Sequence, residues 1–225
     1  MKKIGIVFAD EMEYKPFYES AIAAGGKSID TKTHRKVLFP LENCELIAVE
    51  SGIGKVNASI AATSLILEDK VDGILNAGLS GAVSHVRKGE IVVGTQYEEC
   101  DFDLRPLGMR LGEKTDGSYI YSPDEKLFEE AKKIKGIKEA KLGTGDFFLT
   151  DSKLKKEYNE EFGVMAFDME TGALAAVCDR YDIPFLSVRK ISDDADDEAV
   201  DSYRELNDLA ETALTEVLVE IAKNL

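Results

Sequence analysis

The sequence predicts a three-layer α/β domain, a mixed and mostly parallel central sheet with helices packed on its faces. Three observations lead there. Short runs rich in Ile and Val alternate with longer stretches of helical periodicity, as when strands return through crossover helices. Several of those runs are apolar at consecutive positions, which suits strands covered on both faces. The chain also has 225 residues, 44% of them hydrophobic, and a chain of that size buries about 70% of its unfolded surface without a disulfide or metal staple. No internal repeat, low-complexity segment or Pro/Ser/Gly-rich linker interrupts it, so residues 1–225 read as a single domain.

In order, Ile4–Phe8 is the first strand. Lys2 and Lys3 precede it, but acid arrives at Asp10 before an h-region or cleavage site can form, so no signal peptide is expected. Asp10-Glu11-Met12-Glu13 then opens a helix, where acids complement the macrodipole. Leu46–Val49 is the next strand, followed by the turn Ser51-Gly52-Ile53-Gly54-Lys55 and a helix over Val56–Leu67. Gly73–Leu75 and Ile91–Val93 are further strands. Turn signals at Gly108, Gly112 and Asp116-Gly117 make Tyr97–Ser122 the expected excursion from the core. Asp124–Lys133 is helical. Val164–Phe167 and Pro184–Ile191 are strands on either side of a helix over Glu170–Tyr181. The pattern Leu206, Leu209, Leu214, Val217, Leu218, Ile221 gives Tyr203–Asn224 an apolar helical stripe with acids opposite.

Charge and rare residues narrow the function. With 28 basic and 43 acidic side chains, the net charge is −15. That balance opposes a nucleic-acid partner, whose binding rests on Lys and Arg releasing counterions, and an anionic membrane surface. No apolar stretch approaches the ~20 residues that span a bilayer. Cys44, Cys100 and Cys178 are scattered and unpaired in sequence, which suits a reducing compartment, so a cytoplasmic location is expected. Two histidines, His34 and His85, leave little room for a histidine metal site or a His-based triad.

Three glycine turns follow strands: Ser51-Gly52-Ile53-Gly54-Lys55, Gly78-Leu79-Ser80-Gly81 and Gly143-Thr144-Gly145-Asp146. They satisfy neither the phosphate-binding P-loop, since Val49 and Val56 stand where Gly and Ser/Thr are required, nor the dinucleotide fingerprint, which lacks its third glycine. They still let backbone approach a ligand at the carboxyl edge of the sheet. Three carboxylates share that edge: Glu13 after the first strand, Glu170 where a strand hands over to a helix, and Asp193 at the end of the most apolar strand. Separated carboxylates without histidine suit hydrolysis through a cationic transition state, and taken alone they point to a hydrolase or a lyase. One acid donates to the leaving group and another takes a proton from water, their pKa values split by environment. Asp193, beside a buried strand and several acids, is the acid candidate, and Glu13 the base candidate. The run Asp194, Asp196, Asp197, Glu198, Asp201 reads as a solvated loop, without the ordering of a calcium site.

Read together, these residues resemble the methylthioadenosine/S-adenosylhomocysteine nucleosidases of the nucleoside phosphorylase-like superfamily. The likeness runs nearly end to end. It is carried by Lys3-Ile4-Gly5-Ile6-Val7 leading to Glu13, by Ser51-Gly52-Ile53-Gly54-Lys55-Val56 and by Leu75-Asn76-Ala77-Gly78. Gly145-Asp146-Phe147-Phe148, Met169-Glu170-Thr171 and Val188-Arg189-Lys190-Ile191-Ser192-Asp193 complete it. The resemblance implies cleavage of the N-glycosidic bond of an adenine nucleoside by water, with neither metal nor cofactor. Asp193 would protonate adenine N7, and Glu13 would activate water placed with the help of Arg189. Glu170 would bind the ribose hydroxyls, Met169 would pack under the sugar, Phe148 would stack on adenine and the Leu149 backbone would hydrogen-bond it. Ile53, Leu79 and Ser192 join the implied substrate-binding set. Tyr203 stands where the family usually has a phenylalanine against the sugar, and Leu104 and Leu107 match the segment that completes a neighbouring subunit's 5′ pocket, implying a homodimer.

Two positions depart from the family. Its members usually read Gly-Ser-Ala-Gly or Gly-Thr-Ala-Gly where this chain has Gly78-Leu79-Ser80-Gly81, and Tyr203 adds a hydroxyl to an apolar pocket. Rival readings share the fold: a futalosine-type hydrolase with another 5′ pocket, or a purine nucleoside phosphorylase. The latter commonly carries a Gly-Asp-x-x-Arg-like motif where this chain has the acidic Phe8-Ala9-Asp10-Glu11-Met12-Glu13. From another class, a catalytically weak nucleoside-binding protein would have no need for Glu13, Glu170 and Asp193 together.

Overall fold

The consecutive apolar positions of Lys2–Phe8 (β1) are buried, and the strand runs through the middle of the sheet. It is parallel to Cys44–Glu50 (β4) on one side and to Gly73–Ala82 (β5) on the other. The structure, a computed structural model, describes residues 2–31, 34–115, 120–197, 199–200 and 212–224. Beyond β4 come the antiparallel strands Arg35–Pro40 (β3) and Lys27–Asp30 (β2), the latter exposed along its length. On the other flank, β5 pairs in parallel with Phe185–Asp193 (β10), which lies antiparallel to Ile91–Glu99 (β6). From β6 the ladder passes in parallel to Lys138–Thr144 (β8) and on to Ala166–Asp168 (β9), which returns to β5 at Gly81 and Ala82. Five strands thus close on themselves, while β1, β4, β3 and β2 extend as an open wing. Ile120–Tyr121 (β7) adds a short antiparallel pair to β6.

Helices cover both faces. On one lie Glu11–Ala23 (α1), Glu125–Lys132 (α3) and Thr212–Lys223 (α6), contributing Phe17, Ala21, Leu127, Ala131, Leu214, Leu218 and Ile221 to a core with β1 and β4. Lys55–Ser64 (α2) and Thr171–Tyr181 (α5) cover the other with Ala58, Ala61, Ala62, Leu174 and Cys178. The expected three-layer α/β class with a mixed sheet is therefore found, with the closed ring as an addition. All three cysteines are buried free thiols. No helix among the described residues is long and apolar enough to cross a membrane.

Several elements differ from expectation, for identifiable reasons. Both β5 and β6 run well past their expected ends, because glycines and polar residues such as Asn76 and Gln96 continue the ladder. The excursion accordingly starts after Glu99 and includes a helical turn at Arg105–Leu107. Strand β8 is half-exposed and charged, and Ser152–Phe162 (α4) buries only Tyr158 and Phe162, so neither offered an apolar period to read. Within the expected last helix, Thr212–Lys223 is helical, whereas Tyr203, Leu206 and Leu209 lie outside the described residues.

Candidate active site

Four strand ends deliver the site. At the end of β1 the chain turns into α1, with Asp10 capping the helix by accepting the Glu13 amide at 3.0 Å. The Glu13 side chain folds back towards the sheet: Oε2 accepts the Ala9 N–H at 2.9 Å and Oε1 the Leu79 N–H at 2.7 Å. It can do so because β5 has a glycine beneath it. A Cβ at Gly78 would stand 2.5 Å from Glu13 Oε1 and 2.7 Å from Arg189 Nη1. The register of β10 against β5 sets Arg189 opposite Gly78. Its guanidinium is fully buried and donates to Asn76 Oδ1 at 3.1 Å, Ser80 Oγ at 3.0 Å and the Leu79 carbonyl.

Glu170 occupies the N-cap position of α5. Its Oε1 accepts the Gly54 N–H at 3.0 Å, and Oε2 lies 3.6 Å from Arg189 Nη2. Asp193 ends β10 over a second glycine, Gly81, with Oδ1 accepting the Ala195 N–H at 2.8 Å and Oδ2 the Ser192 hydroxyl at 2.5 Å. Ser192 Oγ also lies 3.2 Å from the Ser80 carbonyl. Both glycines of the Gly78-Leu79-Ser80-Gly81 turn thus make room for a carboxylate, and Leu79 holds Glu13 and Arg189 through its backbone.

These groups surround a cavity of about 180 Å3. Glu13, Asp193, Arg189, Glu170, Met169, Phe148, Leu149, Ile53, Leu79 and Ser192, all expected from the sequence, line it together. Ile53 and Phe148 form its exposed apolar rim. Leu104 and Leu107 do not line it: Leu107 is 73% exposed on the excursion. Tyr203 lies outside the described residues.

Charge in this enclosure is set by burial. Loss of water pushes the Glu13 carboxyl up to about 8, although Arg189 and the Leu79 amide pull the other way; Asp10 and Glu170 add to the rise. Burial also lifts Asp193 above the usual carboxylate range, against the Ser192 and Ala195 donors and with help from Asp194 and Asp196. Glu170 is raised by burial and by neighbouring Asp168, against Arg189. For Arg189, burial alone would favour the neutral form, but Asp168, Glu13 and Glu170 reverse it and keep the cation.

The sequence did not reveal the scaffold beneath these groups. Asp168 Oδ1 accepts from Thr144 Oγ1 and from the Glu170 and Thr171 amides at 2.9–3.0 Å, and Oδ2 takes the Thr171 hydroxyl at 2.6 Å. Asn76 Oδ1 accepts from Arg189 and the Ser187 hydroxyl and lies 3.0 Å from Thr171 Oγ1, and Asn76 Nδ2 donates to the Val7 carbonyl at 3.1 Å. Both are polar residues inside apolar strands. The only signal for them is that placement, since a buried polar side chain must find partners.

A profile of the phosphorylase superfamily matches residues 3–223. Among curated relatives, the 5′-methylthioadenosine/S-adenosylhomocysteine nucleosidase of Bacillus subtilis is 33% identical over 82% of this chain and 83% of its own. That of an Exiguobacterium species is 33% identical over 99% and 98%. Among solved structures, a variant of the Helicobacter pylori nucleosidase with 5′-methylthioadenosine in its active site superposes with a TM-score of 0.95 at 27% identity, covering both chains fully. A futalosine hydrolase variant from the same organism gives 0.94 at 26% over the same extent. The chain belongs to the phosphorylase superfamily, among its methylthioadenosine/S-adenosylhomocysteine nucleosidases.

Proposed function

We propose that the protein hydrolyses the N-glycosidic bond of an adenine nucleoside, releasing adenine and a 5′-substituted ribose. The observation that carries hydrolysis over phosphorolysis is the charge of the cavity. Among its described lining residues, Asp10, Glu13, Asp168, Glu170 and Asp193 face a single cation, Arg189, whose guanidinium is already bonded to Asn76, Ser80 and Leu79. Phosphate would meet acids and no free guanidinium. Water needs only a base, and a carboxylate raised to about 8 is far more basic than an exposed one.

In this reading the C1′–N9 bond breaks and its electrons pass to the base as Asp193 protonates N7, so adenine leaves neutral. Glu13 takes a proton from the water that adds to C1′, with Arg189 fixing that corner of the cavity. Glu170 receives the ribose hydroxyls, with Met169 under the sugar. Phe148 stacks on adenine, and the Leu149 backbone reads its edge. Purified protein incubated with methylthioadenosine, S-adenosylhomocysteine, 5′-deoxyadenosine and adenosine, and separately with futalosine, whose base is hypoxanthine, each with and without phosphate, is expected to release adenine and a free sugar from the adenine nucleosides in phosphate-free buffer. Strict dependence on phosphate would overturn hydrolysis. Cleavage of futalosine alone would move the assignment to that branch, which the fold likeness at TM-score 0.94 supports as a second reading.

The same reading takes the whole chain as one domain, cytoplasmic and acting as a homodimer. A single sheet and a family match over residues 3–223 support the first, and three buried free thiols the second. Support for the dimer is the exposed apolar series Ile53, Val56 and Ile60 beside the cavity mouth, with Leu107 exposed on the excursion. Leu107→Asp is expected to weaken self-association about tenfold or more by setting an unpaired charge in an apolar contact. Sedimentation velocity decides it, and a fully active 24.7 kDa monomer would refute the dimer.

A further inference from the structure

Away from the reacting groups, a closed circuit of charges ties together three segments around the cavity. Helix α2 begins at Gly54 without any side-chain cap of its own. Its first amides instead reach carboxylates from distant parts of the chain: Gly54 N–H donates to Glu170 at 3.0 Å and Lys55 N–H to Asp146 Oδ1 at 2.8 Å. The Asp146 N–H donates to Asp101 Oδ2 at 2.9 Å, and Asp101 Oδ1 accepts the Lys55 ammonium at 2.7 Å, which closes the loop. Glu99 Oε2 takes the same ammonium at 3.3 Å, while its other oxygen pairs with Lys114.

Each member is joined to a wall of the site. Gly54 holds the carboxylate of Glu170, Asp146 leads directly into Phe147, Phe148 and Leu149, and Asp101 opens the segment bearing Leu104 and Leu107. Yet none of Lys55, Glu99, Asp101 or Asp146 lines the cavity. Without the ammonium, Asp101 loses its ion pair and faces Glu99, which keeps only Lys114, so the two carboxylates repel with less to offset them.

Resting on the nucleosidase reading above, we propose that Lys55 is a positioning residue for the substrate: its ammonium holds Asp101, whose other oxygen accepts the Asp146 amide, and so braces the base-side loop, already bonded to the Lys55 backbone amide, and fixes Phe148–Leu149 relative to Glu170. Because the circuit touches neither Glu13 nor Asp193, its loss falls on binding rather than on proton transfer. A mutation that raises KM with kcat unchanged is the signature of lost uniform binding.

The experiment compares Lys55→Met, Lys55→Arg and Asp101→Asn with the wild-type chain in steady-state hydrolysis of methylthioadenosine and in calorimetric binding of adenine. Lys55→Met is expected to raise KM and the adenine Kd about tenfold, with kcat changed much less and both limbs of the pH profile unmoved. Lys55→Arg should recover most of the loss. Asp101→Asn keeps an acceptor for the Asp146 amide but removes the charge, so it should move KM in the same direction by less, and it serves if Lys55→Met does not fold. A folded variant of either kind with KM and adenine Kd within twofold of wild type would reduce the circuit to a stability element and overturn the proposal. Absence of adenine release by the wild type would instead sink the nucleosidase reading, and the adenine Kd of the variants would then judge the circuit alone.

Discussion

Asp193→Asn is expected to lower kcat by about 10²–10⁴-fold, the usual range for a general acid, and to change the shape of the pH profile as well. In the proposed mechanism Asp193 acts protonated, so its contribution would be lost as pH rises through its pKa, which burial has lifted. The same mechanism needs Glu13 ionised, so its contribution would be lost as pH falls below its own value of about 8. The wild type should therefore decline on both sides. In Asp193→Asn only the Glu13 titration remains, and residual activity should rise with pH as a single curve centred near 8. Glu13→Gln should show a comparable loss and the opposite slope. It also sets an amide donor against either the Ala9 or the Leu79 N–H, so its melting temperature must be recorded alongside. A bell-shaped residual profile in Asp193→Asn would remove Asp193 from the acid role.

The second large effect is expected from a residue with no functional group. Gly78→Ala places a methyl 2.5 Å from Glu13 Oε1 and 2.7 Å from Arg189 Nη1, well inside contact distance. Neither neighbour can retreat cheaply. Glu13 is held by the Ala9 and Leu79 amides, and Arg189 by Asn76, Ser80 and the Leu79 carbonyl. Overpacking of a filled interior costs about 1–3 kcal/mol, which for a chain of this size lowers Tm by several degrees. Displacing the Glu13 carboxylate and the guanidinium together should lower kcat by ~10²-fold or more, since misplacement by about 1 Å costs that much. The decisive measurement is a double-mutant cycle. In a Glu13→Ala background the clash with the carboxylate is gone, so Gly78→Ala should cost clearly less stability than in the wild type. Equal costs in both backgrounds would refute the steric account.

What the sequence exposed and what it hid follow from the same physics. Glu13, Glu170 and Asp193 were legible because each carboxylate interrupts or ends an apolar run, where ligand sites of α/β sheets gather. The glycine turns were legible as close approaches, but not what approached them: the Gly78 and Gly81 clashes exist only once β10 lies in register beside β5. Asn76, Thr144, Asp168 and Ser187 were passed over for a related reason. Apart from the Glu170 and Thr171 groups that Asp168 holds two and three residues on, their side-chain partners are 16 to 113 residues away, so no local spacing links them. Layers and principal helices emerged from periodicity. Strand β8 and helix α4 did not, having too few buried positions to carry a period. The departure from the family at Leu79 concerns its side chain, whereas its backbone amide and carbonyl do the holding.

The closed ring of β5, β10, β6, β8 and β9 has a consequence for the order in which the molecule is made. Its closing strand, Phe185–Asp193, pairs with segments about a hundred residues earlier in the chain. Contacts of such separation form slowly, because the entropy of closing the loop is lost before the pairing returns anything. During synthesis β5 emerges long before its partner and must wait with an unpaired edge, the state in which chains aggregate. Arg189 and Asp193 arrive on that same last strand. Ring closure and assembly of the reacting groups are therefore one event, and a refolding chain should regain activity in step with its slowest phase.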